Sequence, residues 1–252
     1  MKDRPKSTGL VQFKHSHEER RESILTSLSG FLQRRPKVLW YVETLALSAR
    51  YFQRVTASQF GVGEVKPRYS HREKLWTEAV IPHLTSSGRR VHVAEFGVAT
   101  GKATVWWHNN LPSIERWDGF DTFEGLPEPW TRGGVTVMNQ GVFAPIDPDS
   151  PFPKIPGKTN LAWHKGLICD TIAQLSRSDD EVLLVLIDVD LLEPTRDVLE
   201  WLMDNGRPGD CVYFDEAFDP FNEGLALSEA IEKGFKFRVL GYTGSSLAVV
   251  LV

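Results

Sequence analysis

Cysteine is scarce. Cys169 and Cys211 are the only two in 252 residues, too few for a disulfide framework or a zinc site. Cys211 stands in an apolar run and reads as a small buried hydrophobe. An excess of charge of one sign is also lacking. The 29 Lys and Arg residues against 33 Asp and Glu residues leave a net charge of -4, which argues against a nucleic-acid binder that works by bulk electrostatics. No apolar run is long enough to span a bilayer. The most apolar early stretch, 38–52, is short and carries Glu43 and Arg50. The first 23 residues are polar and basic with no apolar core of signal-peptide length, so a reducing, cytoplasmic setting is expected. Internal repeats and low-complexity segments are absent. Hydrophobic and charged contents of 41% and 25% are those of an ordinary globular protein.

What the sequence does contain is a strand, glycine turn, helix and strand over residues 91–125. The apolar run Val91, Val93, Ala94 ends in Glu95. Gly97 and Gly101 come next, then a helix-length stretch to about Asn110, then a second strand at 115–121 that ends in Asp121. Glycines at such a turn let the backbone bend tightly and leave helix N–H groups facing an open crevice. An acidic residue at the end of the second strand is placed to take ribose hydroxyls. The stretch therefore reads as a nucleotide-type cofactor site at the carboxyl ends of parallel strands.

Around it the periodicity predicts helices at 23–35, 37–55 and 70–85, the last with Ser70 as N-cap and Glu73 three residues on. The domain organisation expected is a tail with helices over 1–69 and a catalytic domain over 70–252. The apolar helix at 38–52 suits a subunit interface, and so a homo-oligomer, as well as it suits a core. A long polar, proline-bearing segment runs from Thr122 to about Asn160 and reads either as a substrate-covering lid or as a surface insertion. A strand is expected at 159–164, and a helix from Asp170 to Leu175. The unbroken apolar run 182–187, VLLVLI, predicts a central strand covered on both faces. It ends in Asp188, and a helix with Pro194 near its start comes after it. CVYF at 211–214 is the next strand and ends in Asp215 and Glu216. After a further helix, FKFRVLGY and SLAVVLV predict a closing β-hairpin. This is an α/β chain with a mostly parallel sheet and an antiparallel C-terminal hairpin, preceded by N-terminal helices.

Glu95, Asp121, Asp188 and the Asp215–Glu216 pair thus collect at one sheet edge. Like charges in a cleft repel one another, and a hard divalent cation would relieve them. Asp188, Asp215 and Glu216 form the expected Mg²⁺ set, because their two strands should be neighbours.

Taken in order, EFGVATGKAT, GFDTFEGLPEPW, HKGLICDT, IDVDLLEPT and YFDEAFDPFNEG resemble the class I (Rossmann-like) S-adenosylmethionine (SAM)-dependent methyltransferases. The branch they resemble most is that of the macrocin and mycinamicin sugar O-methyltransferases. The resemblance spans about residues 70–252. It implies that Glu95, Gly97 and Gly101 shape the methionine end of the SAM pocket. It further implies that Asp121, with Phe123 beside it, takes the ribose, and that Gly166 and Leu167, near Asp170, lie by the adenine. Asp188, Asp215 and Glu216 would hold Mg²⁺, and Asp188 would double as general base. The implied partner is a small hydroxylated acceptor, a sugar moiety of a natural product or glycolipid, with no nucleic acid and no membrane span.

The chain departs from that pattern in three places. Glu216 stands where the family usually has a second aspartate, Ala103 and Thr104 come after the second glycine, and the family's tyrosine after the second Asp of IDVD is either Leu192 or absent. Two other readings share the same crevice. A NAD-dependent oxidoreductase is opposed by Ala99 at a fingerprint glycine position and by the lack of a Tyr-x-x-x-Lys pair. A non-catalytic binding module of the same fold is the other.

Overall fold

The structure, a computed structural model, describes residues 68–252 apart from 146 and 148, together with residues 42, 44–50 and 53. The helix expected at 23–35 lies outside the described residues. Residues 42 and 44–50 are helical, within the helix expected at 37–55. The chain divides into two compact units, Met1–Ala46 and Leu47–Val252. The large sheet belongs to the second.

The centre of this second unit is the strand that the apolar run predicts. β6 (Glu181–Ile187) is buried at every residue. Because side chains alternate across a strand, Leu183, Val185 and Ile187 enter one core, while Val182, Leu184 and Leu186 enter the other. Each such side chain contributes about 1.5–3 kcal/mol on leaving water, so this strand must lie between two helical layers. β1 (Arg90–Phe96) pairs parallel with it on one side and β7 (Cys211–Phe214) on the other. β2 (Ile114–Asp121) and β5 (Leu161–Lys165) extend the parallel sheet beyond β1. The terminal hairpin, β8 (Phe237–Tyr242) and β9 (Leu247–Leu251), places β9 antiparallel against β7. The seven-stranded order is β5-β2-β1-β6-β7-β9-β8.

Helices α1 (Arg72–Leu75) and α2 (Ile81–Ser86), joined by a π-helical turn at Trp76–Val80, cover one face together with α3 (Lys102–Asn110). The expected Ser70 cap does not form. His71 is the N-cap residue, and the Ser70 hydroxyl lies 2.8 Å from the His71 ring nitrogen instead. The opposite face is covered by α4 (Ile168–Thr171), α5 (Leu192–Asn205) and α6 (Glu223–Glu232). α5 buries Thr195, Val198, Leu199 and Leu202, one stripe at the i, i+3, i+4, i+7 spacing. Among the described residues no helix is long and apolar enough to cross a membrane.

The long segment after Asp121 is folded. Its base is closed by the Leu126 N–H donating to Val142 O and the Gly141 N–H donating to Leu126 O. The close approach needs Gly125: a Cβ there would meet the carbonyl oxygens of Gly141 and Val142 at 2.6 Å. Within the segment a small antiparallel hairpin forms from β3 (Trp130–Arg132) and β4 (Val135–Met138), for which the sequence pattern carries no signal. Leu126 and Trp130 pack on Leu191, just before α5.

Candidate active site

Glu95, Asp121, Asp188, Asp215 and Glu216 sit at the carboxyl ends of the strands, where β1, β2, β6 and β7 run in parallel. The turn after β1 is fixed by Gly97 at φ 86°. A Cβ at Gly97 would lie 1.9 Å from the backbone oxygen of Asp188, so no other residue fits without moving β6. The Asp188 N–H in turn donates to Phe96 O, which ties the two strand ends together. A cavity of about 560 Å³ opens there, within the range of pockets that hold a cofactor-sized molecule.

One half of the cavity carries the residues expected for a nucleotide-type cofactor. Glu95, Gly97, Asp121, Gly166 and Leu167 line it, with Phe120 between them. Asp121 accepts the N–H groups of Val98 and Ala99 on one oxygen and that of Phe123 on the other, each at 2.8 Å. It therefore holds the glycine turn in shape as well as facing the pocket. Glu95 is buried at the floor. It accepts hydrogen bonds from the Thr104 hydroxyl at 2.5 Å and the Trp117 indole N–H at 3.2 Å. Burial outweighs these bonds, and with Asp188 and Asp121 nearby it pushes the Glu95 carboxyl up to about 8. Thr104, one of the departures from the family pattern, thus partners the acid at the pocket floor.

Three of the expected cofactor residues stand back from the wall. Gly101, at φ 72°, ends the turn and caps α3, and a Cβ on it would strike Pro153 at 2.7 Å. Phe123 is buried edge-on against Phe152 and Trp163. Asp170 is exposed on α4. His164, near the end of β5, is a packing residue. Its ring stacks on Phe120 at 4.3 Å, and its nitrogens reach Asp118 at 2.6 Å and Gln174 at 2.9 Å.

The other half of the cavity belongs to Asp188, Asp190 and the inserted segment, which contributes Leu126, Pro127 and Phe143. The Asp188 side chain is 36% exposed and so is reachable from the cavity. Its carboxyl lies well above the ordinary range, because of desolvation and then the neighbouring Asp215 and Asp190, with Arg72 opposing. Asp190, at φ 61°, is pushed up to about 7 by burial and by Glu216 and Asp215.

Two arginines that no sequence motif marks divide this carboxylate group. Arg72 Nη1 lies 3.5 Å from Asp188 Oδ2 and 3.3 Å from Asp215 Oδ1. Tyr213 also donates its hydroxyl to Asp215 at 2.5 Å. Glu216 faces elsewhere. It pairs with Arg132 of β3, which also reaches Asp219 at 3.2 Å. Asn222 completes that anchor by donating to Thr131 O at 3.0 Å. Glu223, fully buried, accepts the Glu216 N–H and is raised well above its ordinary range, chiefly by burial. The three expected Mg²⁺ ligands are therefore not assembled around one point. Among the described residues no three His, Cys, Asp or Glu side chains are disposed to hold a metal ion, and the donor set as placed does not fit one.

The strand order decides the fold. Counting only the large sheet, it reads 3-2-1-4-5-7-6, with the last strand threaded antiparallel between the fifth and sixth. The chain has the class I methyltransferase fold. The O-methyltransferase NovP shares it, at 14% identity over 86% of this chain and 99% of that one, with a TM-score of 0.51. Two further methyltransferase structures align with the chain. CalS11, a calicheamicin methyltransferase, is 21% identical over 99% of this chain and 94% of its own, with a TM-score of 0.49. An O-methyltransferase from Bacillus cereus in complex with SAH is 15% identical over 81% and 90%, with a TM-score of 0.44. No family model and no curated protein sequence matches the chain.

Proposed function

We propose that the protein is a SAM-dependent O-methyltransferase that acts on a hydroxyl of a small molecule, a sugar moiety of a natural product or glycolipid. The observation that carries this reading is one continuous cavity whose floor holds Glu95, Gly97 and Asp121 and whose far side holds Asp188. The fold it shares with NovP, an O-methyltransferase, agrees with it.

The residues present suit SAM. Gly97, which lines the cavity and packs directly on the end of β6, leaves the glycine turn without a side chain beside the methionine end, and Glu95 lies there to receive an ammonium group. Asp121 offers charged acceptors to ribose hydroxyls. Phe120, Leu167 and Ile168 give an apolar slot for a purine. When bound, the cofactor supplies an electrophilic methyl group. The chain's own part is to hold the acceptor oxygen in line with that methyl and to remove its proton. Asp188 is the base in this reading, and its raised carboxyl is the more able to take a proton from a hydroxyl. Leu126, Pro127 and Phe143 cover the acceptor side and keep water from competing. Glu216 is engaged by Arg132 and is not free to ligate Mg²⁺ beside Asp188 and Asp215.

The test is transfer of a labelled methyl group from SAM to a panel of nucleotide sugars, simple glycosides and catechols, with the labelled position read by mass spectrometry. Label on a hydroxyl oxygen is the expected result. Label on nitrogen or carbon alone would overturn the O-methyltransferase reading.

A further inference from the structure

We propose that Arg72 is the resident cation of the acceptor crevice: its guanidinium, and not a divalent metal, holds Asp188 and Asp215 together. The inference rests on the O-methyltransferase reading and deepens it. Both carboxylates direct an oxygen at one nitrogen, Arg72 Nη1, at 3.5 and 3.3 Å. A Mg²⁺ ion held by the same pair would need oxygens at about 2.0–2.1 Å in near-octahedral array, and it would have to occupy the space this nitrogen fills. The third member that such an ion needs is committed elsewhere, because Glu216 is tied to Arg132 together with Asp219.

The position of Arg72 is built rather than incidental. It is the first residue of α1, and its guanidinium carbon lies 5.3 Å from the ring centre of Trp76. Trp76 is buried against Trp106, Trp107 and Tyr213 at 4.8, 5.2 and 5.2 Å. Tyr213 in turn donates to Asp215. The aromatic cluster thus fixes the cation and one of its two carboxylates from the same side. Arg72 also lines the cavity. A guanidinium carries five N–H donors in a rigid fork, more than these two carboxylates use, so it can also bind the oxygen of an acceptor hydroxyl. In this arrangement Arg72 is a positioning residue. It opposes the burial and like charges that disfavour the Asp188 carboxylate and aims that group at the acceptor, the task that a metal would otherwise share.

The experiment is a Mn²⁺ titration monitored by electron paramagnetic resonance, on the full chain with S-adenosylhomocysteine present, for the wild type, R72M and R72K. The wild type should show no site tighter than about millimolar, and its methyl transfer should be unchanged by chelator. R72M removes the charge and leaves Asp188 and Asp215 unneutralised, so its Mn²⁺ affinity should rise by at least about tenfold. R72K keeps the charge and should stay like the wild type. The acid limb of the pH–rate profile should move to higher pH in R72M and much less in R72K, a change that a merely structural role would not give. Micromolar Mn²⁺ binding by the wild type that is lost in D188N would overturn the proposal, whatever the variants do. Cofactor binding is measured on the same samples. Failure to bind S-adenosylhomocysteine counts against the methyltransferase reading, while tight Mn²⁺ with normal cofactor binding counts against Arg72 alone.

Discussion

Asp188→Asn should lower kcat for methyl transfer by about 10²–10⁴-fold and leave the SAM dissociation constant within about twofold. The substitution keeps size and shape at the end of β6. It also keeps an oxygen that can accept from Arg72, so the crevice should stay assembled. What it removes is the ability to take a proton. The cofactor half of the cavity is formed by Glu95, Asp121, Gly166 and their neighbours. Asp121 and Glu95 take their hydrogen bonds from the glycine turn, Phe123, Thr104 and Trp117, and losing the charge at 188 only eases its repulsion of Glu95. Single-turnover transfer and calorimetry on the same preparation separate the two effects. Full activity in the variant would remove Asp188 from the chemistry.

Asp121→Ala should act on the other side, weakening SAM by about 3 kcal/mol, a roughly 10²-fold rise in Kd. The effect is larger than the loss of ribose contacts alone would give. The same carboxylate accepts three backbone N–H groups, two of them from the glycine turn that the cofactor must lie against. Ala99, at φ 46°, is held in a strained region in part by that bond. Asp121→Asn keeps one acceptor oxygen and should fall between the two. Equal weakening by Asn and Ala, measured by calorimetry, would mean that the charge is what matters and that the turn is held by something else.

The parts of this molecule that could be read from the sequence are those that local pattern controls. The run VLLVLI admits only a strand buried on both faces. Glycines after a strand, with an acid at the next strand's end, place a crevice, and the alternation of FKFRVLGY and SLAVVLV gives the hairpin. The acids at the strand ends gathered because parallel strands share an edge. The unread parts depend on contacts between distant residues. Arg72 lies 143 residues from Asp215, and as a charge in the first turn of a short helix it has the pattern of any solvated residue. Arg132 sits in a hairpin of three- and four-residue strands. The exposed β4 carries no burial signal, and the hairpin is held by Glu216, Asp219 and Asn222, more than 80 residues away in sequence. Phe123 and Asp170 neighbour true pocket residues in sequence, but a left-handed backbone at Phe123 and the outer face of α4 turn them away. Glu216 shows how a one-carbon difference can matter, since its longer arm reaches the inserted hairpin.

The central claim is that the crevice binds SAM, and calorimetric titration with SAM, S-adenosylhomocysteine and NAD tests it most directly. Glu95, at about 8, holds a proton at pH 7. An ammonium group placed beside it favours the carboxylate, so the proton must leave. Titrations at pH 7 in buffers of different ionisation enthalpy should therefore show micromolar SAM binding with release of close to one proton. The release should be lost in Glu95→Gln, and NAD should give no heat. Binding of NAD in place of SAM, or of neither, would contradict the account.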